Sequence, residues 1–259
     1  MDLPEDVEIR RGQLNLAGLL ARGANLRALD NSTVRFLGPL NLFSTASTTN
    51  GSTLIVSNTA GVTMFGVLTN RGTSTFEGET NLIGLIAGEA GAINLRGNYT
   101  GASNVILNGG ADISFGITTD SDDFTQIAQD ILVIHDGVLN STVAFNGGTN
   151  EVFGSITLIS VTNVNPPTLN FHAPKTIVHG DVSLVPSNAS VFGAGSLDFG
   201  NSYDDSTEIY GSLIIDTPHK RSNTAQEFSR GDLTVASNII INASGLDFRA
   251  FNNTNTTTF

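Results

Sequence analysis

The chain has 259 residues and a net charge of −12, yet only 14% of its residues are charged, well below the roughly 25% of an ordinary soluble domain. With 12 Lys and Arg against 24 Asp and Glu, it has no basic face and is not expected to bind nucleic acid; the lack of Cys excludes disulfides. A 39% hydrophobic content argues against disorder, while 28 glycines with abundant Asn, Ser and Thr favour many short strands joined by turns.

Residues 1–30 form a Leu- and Arg-rich start, with the stretch LNLAGLLARGANLRALD at 14–30. The end of a repeat protein exposes apolar side chains and unpaired strand edges unless a cap or a partner covers them. We therefore interpret 1–30 as an N-terminal cap or as the first rung of a repeated fold.

The phrase NSTVRF at 31–36 returns as NSTVAF at 140–145 and, in looser form, as NASVFG at 188–193. Side chains alternate between the two faces of a strand, so Val34 and Phe36 share one face, which is predicted to be buried. The same burial is predicted for three further pairs, namely Val143 with Phe145, Ile113 with Phe115 and, with its spacing shortened by one, Ile209 with Tyr210.

The spacing of these phrases indicates a stacked repeat. Asn31 and Asn140 are 109 residues apart and Asn140 and Asn188 are 48 apart, which units of about 22 and 24 residues divide into five and two steps. We therefore predict an all-β fold over 31–250, a parallel β-helix (β-solenoid) with irregular rungs of about 20–30 residues. A β-sandwich is the alternative, because strands spaced by about 8–12 residues also suit it.

Three stretches carry a family resemblance: GVTMFGVLTNRGTSTFEG at 61–78, AINLRGNYTGASNVILNGGADISFG at 92–116 and SLDFGNSYDDSTEIYGSLIID at 196–216. They resemble the right-handed parallel β-helices of autotransporter passenger domains and filamentous haemagglutinin-like adhesins. The likeness covers most of 31–250. It implies a rod-shaped surface or secreted protein and transfers no functional residue.

One acidic cluster is a weak candidate for a calcium site. Asp120, Asp122 and Asp123 lie in TTDSDDF, and their carboxylates are ligands that Ca²⁺ prefers. Asp and Ser are also ordinary turn formers, so a turn is the competing interpretation. Asp204 and Asp205 are interpreted in the same way.

Catalytic chemistry is not predicted. His135, His172, His179 and His219 have no metal-ligand spacing, and no cofactor is expected. His179 with Asp181 in VHGD would make a catalytic dyad or a solvent-facing pair at a turn. The Gly-His-Gly and Arg-x-Lys stretches expected of a pectin-degrading hydrolase are missing, so the chain is predicted not to be an enzyme.

Sequons for N-glycosylation are numerous. Several stand at the turn before a predicted strand, where a glycan would project outward, although Asn also starts turns without modification. The glycosylation candidates are Asn31, Asn50, Asn98, Asn140, Asn188 and Asn242.

Residues 251–259 are polar and are predicted to be a linker or connecting arm, and no apolar stretch is long enough for a transmembrane helix. Neither end carries a convincing polar cap, so end-to-end association or strand exchange between copies is expected. We therefore predict an extracellular or cell-surface structural and adhesive rod, a subunit of a fibre. A carbohydrate-active lyase or hydrolase and a glycan- or ice-binding module are the alternatives.

Overall fold

The computed structural model describes 7–16, 19–21, 26–29, 32–36, 40–42, 46–48, 53–56, 62–70, 73–76, 80–88, 90–101, 103–116, 122–135, 141–162, 167–187, 196–199, 205–217, 232–243 and 257–258. Every regular element in these ranges is a β-strand. They contain no helix with the length and apolar character needed to cross a membrane.

The strands are short, mostly of three to five residues. In chain order they are β1 (Val7–Arg10), β2 (Gln13–Leu16), β3 (Leu19–Ala21), β4 (Leu26–Leu29), β5 (Thr33–Phe36), β6 (Leu40–Leu42), β7 (Ala46–Thr48), β8 (Thr53–Val56), β9 (Val62–Asn70), β10 (Thr73–Phe76), β11 (Thr80–Gly88), β12 (Gly91–Leu95), β13 (Asn98–Gly101), β14 (Val105–Asn108), β15 (Ala111–Phe115), β16 (Phe124–Ile127), β17 (Ile131–His135), β18 (Thr142–Phe145), β19 (Thr149–Val152), β20 (Ile156–Ser160), β21 (Thr168–Phe171), β22 (Lys175–Val178), β23 (Val182–Pro186), β24 (Ser196–Phe199), β25 (Ser206–Ile209), β26 (Leu213–Thr217), β27 (Asp232–Val235), β28 (Ile239–Ala243) and β29 (Thr257–Thr258).

These strands form three ladders in which all the described pairings are parallel. The first ladder is β1, β4, β7, the second halves of β9 and β11, then β14, β17, β20, β23, β26 and β28. The second ladder is β2, β5, β8, β10, β12, β15, β18, β21 and β24. The third ladder is β3, β6, the first halves of β9 and β11, then β13, β16, β19, β22, β25, β27 and β29.

One strand from each ladder makes a coil, and successive coils stack. The fold is therefore the predicted parallel β-helix, and the β-sandwich alternative is wrong because a sandwich packs antiparallel sheets. The length of a coil is the number of residues between paired positions of consecutive first-ladder strands. It ranges from 18 residues (Leu68 to Ile86) to 31 residues (Val182 to Leu213).

The repeated phrase occupies one ladder. NSTVRF supplies β5 and NSTVAF supplies β18, five steps along the second ladder through β8, β10, β12 and β15. Two further steps along this ladder lead to β21 and β24, the latter being SLDF at Ser196–Phe199. The third phrase, at 188–193, lies outside the described residues, so its placement stays a prediction.

The core lies inside the coils. Val34, Ile113, Phe115, Val143 and Phe145 are each at most 1% exposed, which confirms the predicted phase of these strands. The side chain of Phe36 lies outside the described residues.

An aromatic column runs through this core at the end of the second-ladder strands. The rings of Phe115, Phe145, Phe171 and Phe199 stack with centroids 5.1, 5.6 and 5.2 Å apart, and Tyr99 packs on Phe115 at 5.5 Å. Burial raises the pKa of the Tyr99 hydroxyl far above its usual range. The column makes one core continuous from coil to coil.

One predicted pair is wrong. Ile209 is fully buried, but Tyr210 is 49% exposed, because β25 ends at Ile209 and the chain turns a corner at Tyr210. The shortened spacing of this pair therefore marks the end of a strand and not a second inward position.

The predicted division into 1–30, 31–250 and 251–259 stays a prediction. Within 1–30, β1 and β3 pair with β4 and β6 in the same register as later coils. At the other end, Thr257 and Thr258 pair with Leu233 and Thr234 of β27.

Candidate functional site

The most distinctive surface feature is the corner between the third and first ladders. From β16 onward each such corner has three residues, at 128–130, 153–155, 179–181, 210–212 and 236–238. Three of them read aromatic–Gly–polar: Phe153-Gly154-Ser155, His179-Gly180-Asp181 and Tyr210-Gly211-Ser212. We name these three tripeptides the aromatic corner.

The middle position of the corner is tight against the coil below. Gly180 donates its N–H to the Gly154 carbonyl at 3.1 Å, and Gly211 donates to the Gly180 carbonyl at 3.2 Å. A Cβ on Gly180 would stand 2.7 Å from both the carbonyl carbon and oxygen of Gly154, inside any real contact distance. Glycine is therefore needed here for close backbone approach.

The third position of the corner is a ladder of polar side chains that join the coils. The Asp130 N–H donates to Asn104 Oδ1 at 3.1 Å, and the Ser155 N–H donates to Asp130 Oδ1 at 2.7 Å. The Asp181 N–H then donates to Ser155 Oγ at 3.0 Å, and the Ser212 N–H to Asp181 Oδ1 at 2.6 Å. Each side chain thus satisfies a backbone donor of the next coil, which fixes the shape of the corner.

The first position places three rings on the surface. Phe153 and His179 stack with centroids 4.9 Å apart and planes within 1°, and Tyr210 lies 5.2 Å beyond His179 at a tilt of 52°. Phe153 and Tyr210 are 45% and 49% exposed. The stacked faces of Phe153 and His179 cover each other.

Charged side chains of the third ladder flank these rings. His179 Nε2 lies 2.9 Å from Glu151 Oε1, and the Tyr210 hydroxyl donates to Glu208 Oε2 at 3.1 Å. Lys175 Nζ lies 3.3 Å from Glu208 Oε1. The hydrogen bond to Glu208, followed by the charge of that carboxylate, raises the pKa of the Tyr210 hydroxyl, so it is a donor at neutral pH.

The corner brings together several groups that can form hydrogen bonds or ion pairs. It combines aromatic rings, a phenol donor, two carboxylate acceptors and one ammonium group on the surface. Glu151 and Glu208 are two coils apart through Ile177, so their backbones are about 10 Å apart. Each already has a partner within the corner.

The residues of the acidic cluster Asp120, Asp122 and Asp123 differ in their exposure to solvent. Asp122 is exposed whereas Asp123 is only 8% exposed, and Asp120 lies outside the described residues. The Asp123 carbonyl accepts the Thr149 N–H at 3.0 Å, a connection between coils. The described part of the chain holds no group of three or more His, Cys, Asp or Glu side chains able to bind a metal ion.

Asp205, which belongs to the second acidic pair, is buried like Asp123 and also connects two coils. It is 6% exposed and its carbonyl accepts the Asp232 N–H at 2.8 Å, while Asp204 lies outside the described residues.

The histidines are dispersed. His135 is buried at the end of β17, and His172 Nε2 lies 2.8 Å from Asp198 Oδ2 of the next coil. His179 and Asp181 lie in a corner and not on one face of a strand, and His179 contacts Glu151 instead. His219 lies outside the described residues.

Two of the glycosylation candidates are described, and both are exposed. Asn98 Oδ1 accepts the Phe124 N–H at 2.7 Å, and Asn242 Nδ2 donates to Asp216 Oδ1 at 2.8 Å. A glycan on Asn242 would replace one of the two hydrogens on that donor nitrogen. Asn31, Asn50, Asn140 and Asn188 lie outside the described residues.

Sequence reasoning missed the aromatic corner as a unit, although a signal was present. The pattern aromatic–Gly–Ser/Asp recurs at 153–155, 179–181 and 210–212, each time directly after a strand that ends in Val or Ile. Spacings of 26 and 31 residues match the coil length at these positions.

Comparisons with protein-family models, with curated proteins and with solved structures find no match to this chain. The fold is therefore assigned from the strand pairing, and the resemblance to adhesins stays a prediction.

Proposed function

We propose that the protein is an extracellular or cell-surface structural rod that associates end to end into an adhesive fibre. The observation that carries this proposal is the state of the terminal coils. Among the described residues, β4 is the only strand paired with β1 and β26 is the only strand paired with β28, and an outer strand edge is where a further strand can add.

The side chains at these ends point to the same conclusion. Ile9 at one end, and Ile239 and Ile241 at the other, pack against the core but are only partly buried. A second copy stacked on either end would continue the parallel ladders and cover these residues. Because the contact joins unlike ends, it does not close on itself and generates a filament.

Electron microscopy and sedimentation of the purified chain test the proposal. We expect filaments with a spacing of about 4.8 Å between coils. Ile241→Lys places a charge on the terminal core surface and is expected to give monomers at the same concentration. Thr234→Lys, on the outward face of the adjacent β27, is the matched control and should still assemble.

A wild-type chain that stays monomeric at high concentration, with the backbone amides of β1 and β28 protected from hydrogen exchange, would show capped ends and refute the filament.

The aromatic corner favours a second function, glycan binding, because its partly exposed rings lie beside the hydrogen-bonding side chains of Glu151, Lys175 and Glu208. A glycan array followed by calorimetry tests it. Tyr210→Ala should weaken binding at least about tenfold, since one well-placed aromatic contact with its hydrogen bond is worth about 1.5 kcal/mol or more. Phe124→Ala, an exposed third-ladder ring outside the corner, should bind normally.

Release of new reducing ends from a bound polysaccharide would instead favour the carbohydrate-active enzyme, with Glu151 and Glu208 as the first residues to replace. Equal affinity of Tyr210→Ala and wild type would remove the corner from consideration as a glycan site.

A further inference from the structure

One inward column of the third ladder is polar. Its members are paired in register, so they occupy the same position in five successive coils, and each is at most 4% exposed. They are Tyr99 of β13, Thr125 of β16, Asn150 of β19, Thr176 of β22 and Thr207 of β25. We name these five residues the polar column.

The surroundings of the polar column are apolar. The second inward residues of the strands from β16 to β25 are fully buried and aliphatic, namely Ile127, Val152, Val178 and Ile209. In the coil after Thr207 the column itself continues with Leu233. A polar side chain among such residues needs a hydrogen-bond partner, because burial removes it from bulk solvent.

Asn150 has the largest unused hydrogen-bonding capacity in the column. Its Oδ1 and its Nδ2 are both buried, and neither forms a hydrogen bond with any group of the described chain. The hydroxyl of Thr176, in the next coil, is buried and unpartnered in the same way. An amide has two N–H donors and two acceptor lone pairs, so Asn150 and Thr176 together leave several groups to be satisfied.

The spacing between coils matches a bridging water molecule. Equivalent atoms of neighbouring strands lie about 4.8 Å apart, which is too long for a direct hydrogen bond between them. Two hydrogen bonds of about 2.8 Å that meet near the tetrahedral angle at one water oxygen span about 4.6 Å. One water molecule can therefore join the amide of Asn150 to the hydroxyl of Thr176.

Water suits these groups better than a metal ion does. Buried polar groups in proteins are almost always hydrogen-bonded, and a buried water molecule forms about three hydrogen bonds to groups that have no other partner. Hydroxyls and an amide can both donate to water and accept from it. Divalent cations select carboxylate oxygens, and the polar column contains none.

We propose that the polar column binds ordered water inside the β-helix, at a site where one water molecule bridges the Asn150 amide and the Thr176 hydroxyl. The bridge joins β19 to β22 through the core, in addition to the backbone ladder between these strands. The site is independent of the end-to-end association and of the aromatic corner, because it uses inward side chains that neither of them involves.

A density map of the full chain, at a resolution that shows ordered water, tests the site directly. We expect a peak at about 2.7–3.2 Å from a polar atom of the Asn150 amide and from Thr176 Oγ1. The peak should be lost in Thr176→Val, which removes the hydroxyl and keeps a β-branched side chain, and retained in Thr176→Ser. The matched control is Thr149→Val, an outward threonine on the same strand as Asn150, which should leave the peak unchanged.

Urea denaturation in the Ile241→Lys background, which is expected to be monomeric, tests whether the two side chains act together. Asn150→Leu and Thr176→Val each deprive the shared water molecule of a partner. The midpoint shift of the double variant should therefore be smaller than the sum of the two single shifts. Thr149→Val combined with Thr176→Val should give additive shifts.

Three results would refute the proposal: no density between the two side chains, a direct hydrogen bond from Asn150 to Thr176, or additive midpoint shifts for Asn150→Leu and Thr176→Val. A peak with short metal-like distances to several oxygens would also refute it. If Asn150→Leu fails to fold, the density of Thr176→Val and Thr176→Ser decides the question alone.

Discussion

The N-terminal and C-terminal halves of the β-helix have the same three ladders but coils of different length. The first five steps of the first ladder, from Val7 to Val105, take 18–22 residues each. The next five, from Val105 to Ile239, take 25–31. Strand pairing stays in register throughout, so the two halves show what the fold holds constant and what it allows to vary.

The additional residues of the long coils go into corners. β9 and β11 pass through the corner between the third and first ladders as single nine-residue strands, with a register shift between Ile83 and Leu85. Later coils have three-residue corners there, and 136–141, 161–167 and 187–195 separate the first ladder from the second. Loop closure costs grow slowly with length, so corners accept insertions that strands cannot.

The halves also differ in their cores. Phe145 stacks between the rings of Phe115 and Phe171, whereas Phe76 is paired in register with Val56 and Leu95. The second ladder therefore has an aromatic column in the long coils and a mixed column in the short ones.

The largest expected effect on stability distinguishes the aromatic column from the mixed column. Phe145→Ala should lower the free energy of unfolding by about 3–5 kcal/mol, because it empties a fully buried site. Phe145→Leu should still cost about 1–3 kcal/mol through two lost ring pairs, and Phe76→Leu less than about 1.5 kcal/mol. Urea denaturation measures all three. Equal costs for the two leucine variants would mean that ring stacking adds nothing to burial.

A second comparison concerns two glycines with different constraints. Gly180→Ala in a long coil should cost about 1–3 kcal/mol, because the new Cβ meets the Gly154 backbone at 2.7 Å. Gly12 in a short coil has a φ of +89° and open space, so Gly12→Ala should cost about 1–2 kcal/mol through backbone strain alone. Thermal unfolding gives both values.

Substituting Asn for Gly12 and for Gly180 distinguishes backbone strain from steric crowding, because Asn tolerates a left-handed backbone. We expect Gly12→Asn to be milder than Gly12→Ala, while Gly180→Asn should be at least as damaging as Gly180→Ala. A smaller loss of stability in Gly180→Asn than in Gly180→Ala would contradict steric crowding as the cause.

The polar ladder of the corners joins the later coils and can be removed there. Asp181→Ala deletes the acceptor of the Ser212 N–H and should cost about 1 kcal/mol. Asp181→Asn keeps an oxygen at that place and should cost less. Hydrogen exchange of the Ser212 amide is the direct measurement; unchanged protection in Asp181→Ala would show that the bond is dispensable.

The smallest effect concerns Asp112 at the boundary of the two halves. Partial burial raises the pKa of its carboxyl above 3.8, against the opposing hydrogen bonds from Thr142. A raised pKa means that the folded state holds the proton more tightly, so stability is greatest below pH 3.8 and falls as pH rises through the folded-state pKa.

Asp112→Asn should therefore gain up to about 0.5 kcal/mol at pH 7 and nothing at about pH 3. Urea unfolding at the two pH values tests this. The same gain at both would mean that ionisation of Asp112 is not the cause.

The sequence pointed to individual residues of the aromatic corner but did not predict that they lie together. It singled out His179 and placed Tyr210 in a strand, because Ile209 and Tyr210 are both apolar enough to continue one. The structure ends the strand at Ile209 and places the Tyr210 ring 5.2 Å from that of His179, a residue 31 positions earlier, at a tilt of 52°. Irregular coil length hides such a contact, since no fixed period brings the two residues together.

What the sequence by itself determined is the fold class. Alternation in TVRF, TVAF and DISF specifies one buried face, and the recurrence of these phrases specifies the number of steps between β5 and β18. Both signals are local, because side-chain alternation follows from strand geometry.

In the first and third ladders, tertiary structure decided which side of several strands is polar. In the third ladder Thr125, Asn150 and Thr176 point inward, although hydrophobicity assigns them to the surface. In the first ladder Ile134 and Ile159 point outward, although hydrophobicity assigns them to the core. The register of each strand with its neighbours sets these directions: shifting a strand by one residue would reverse all its side chains and expose the inward Ile and Val residues that fill the core.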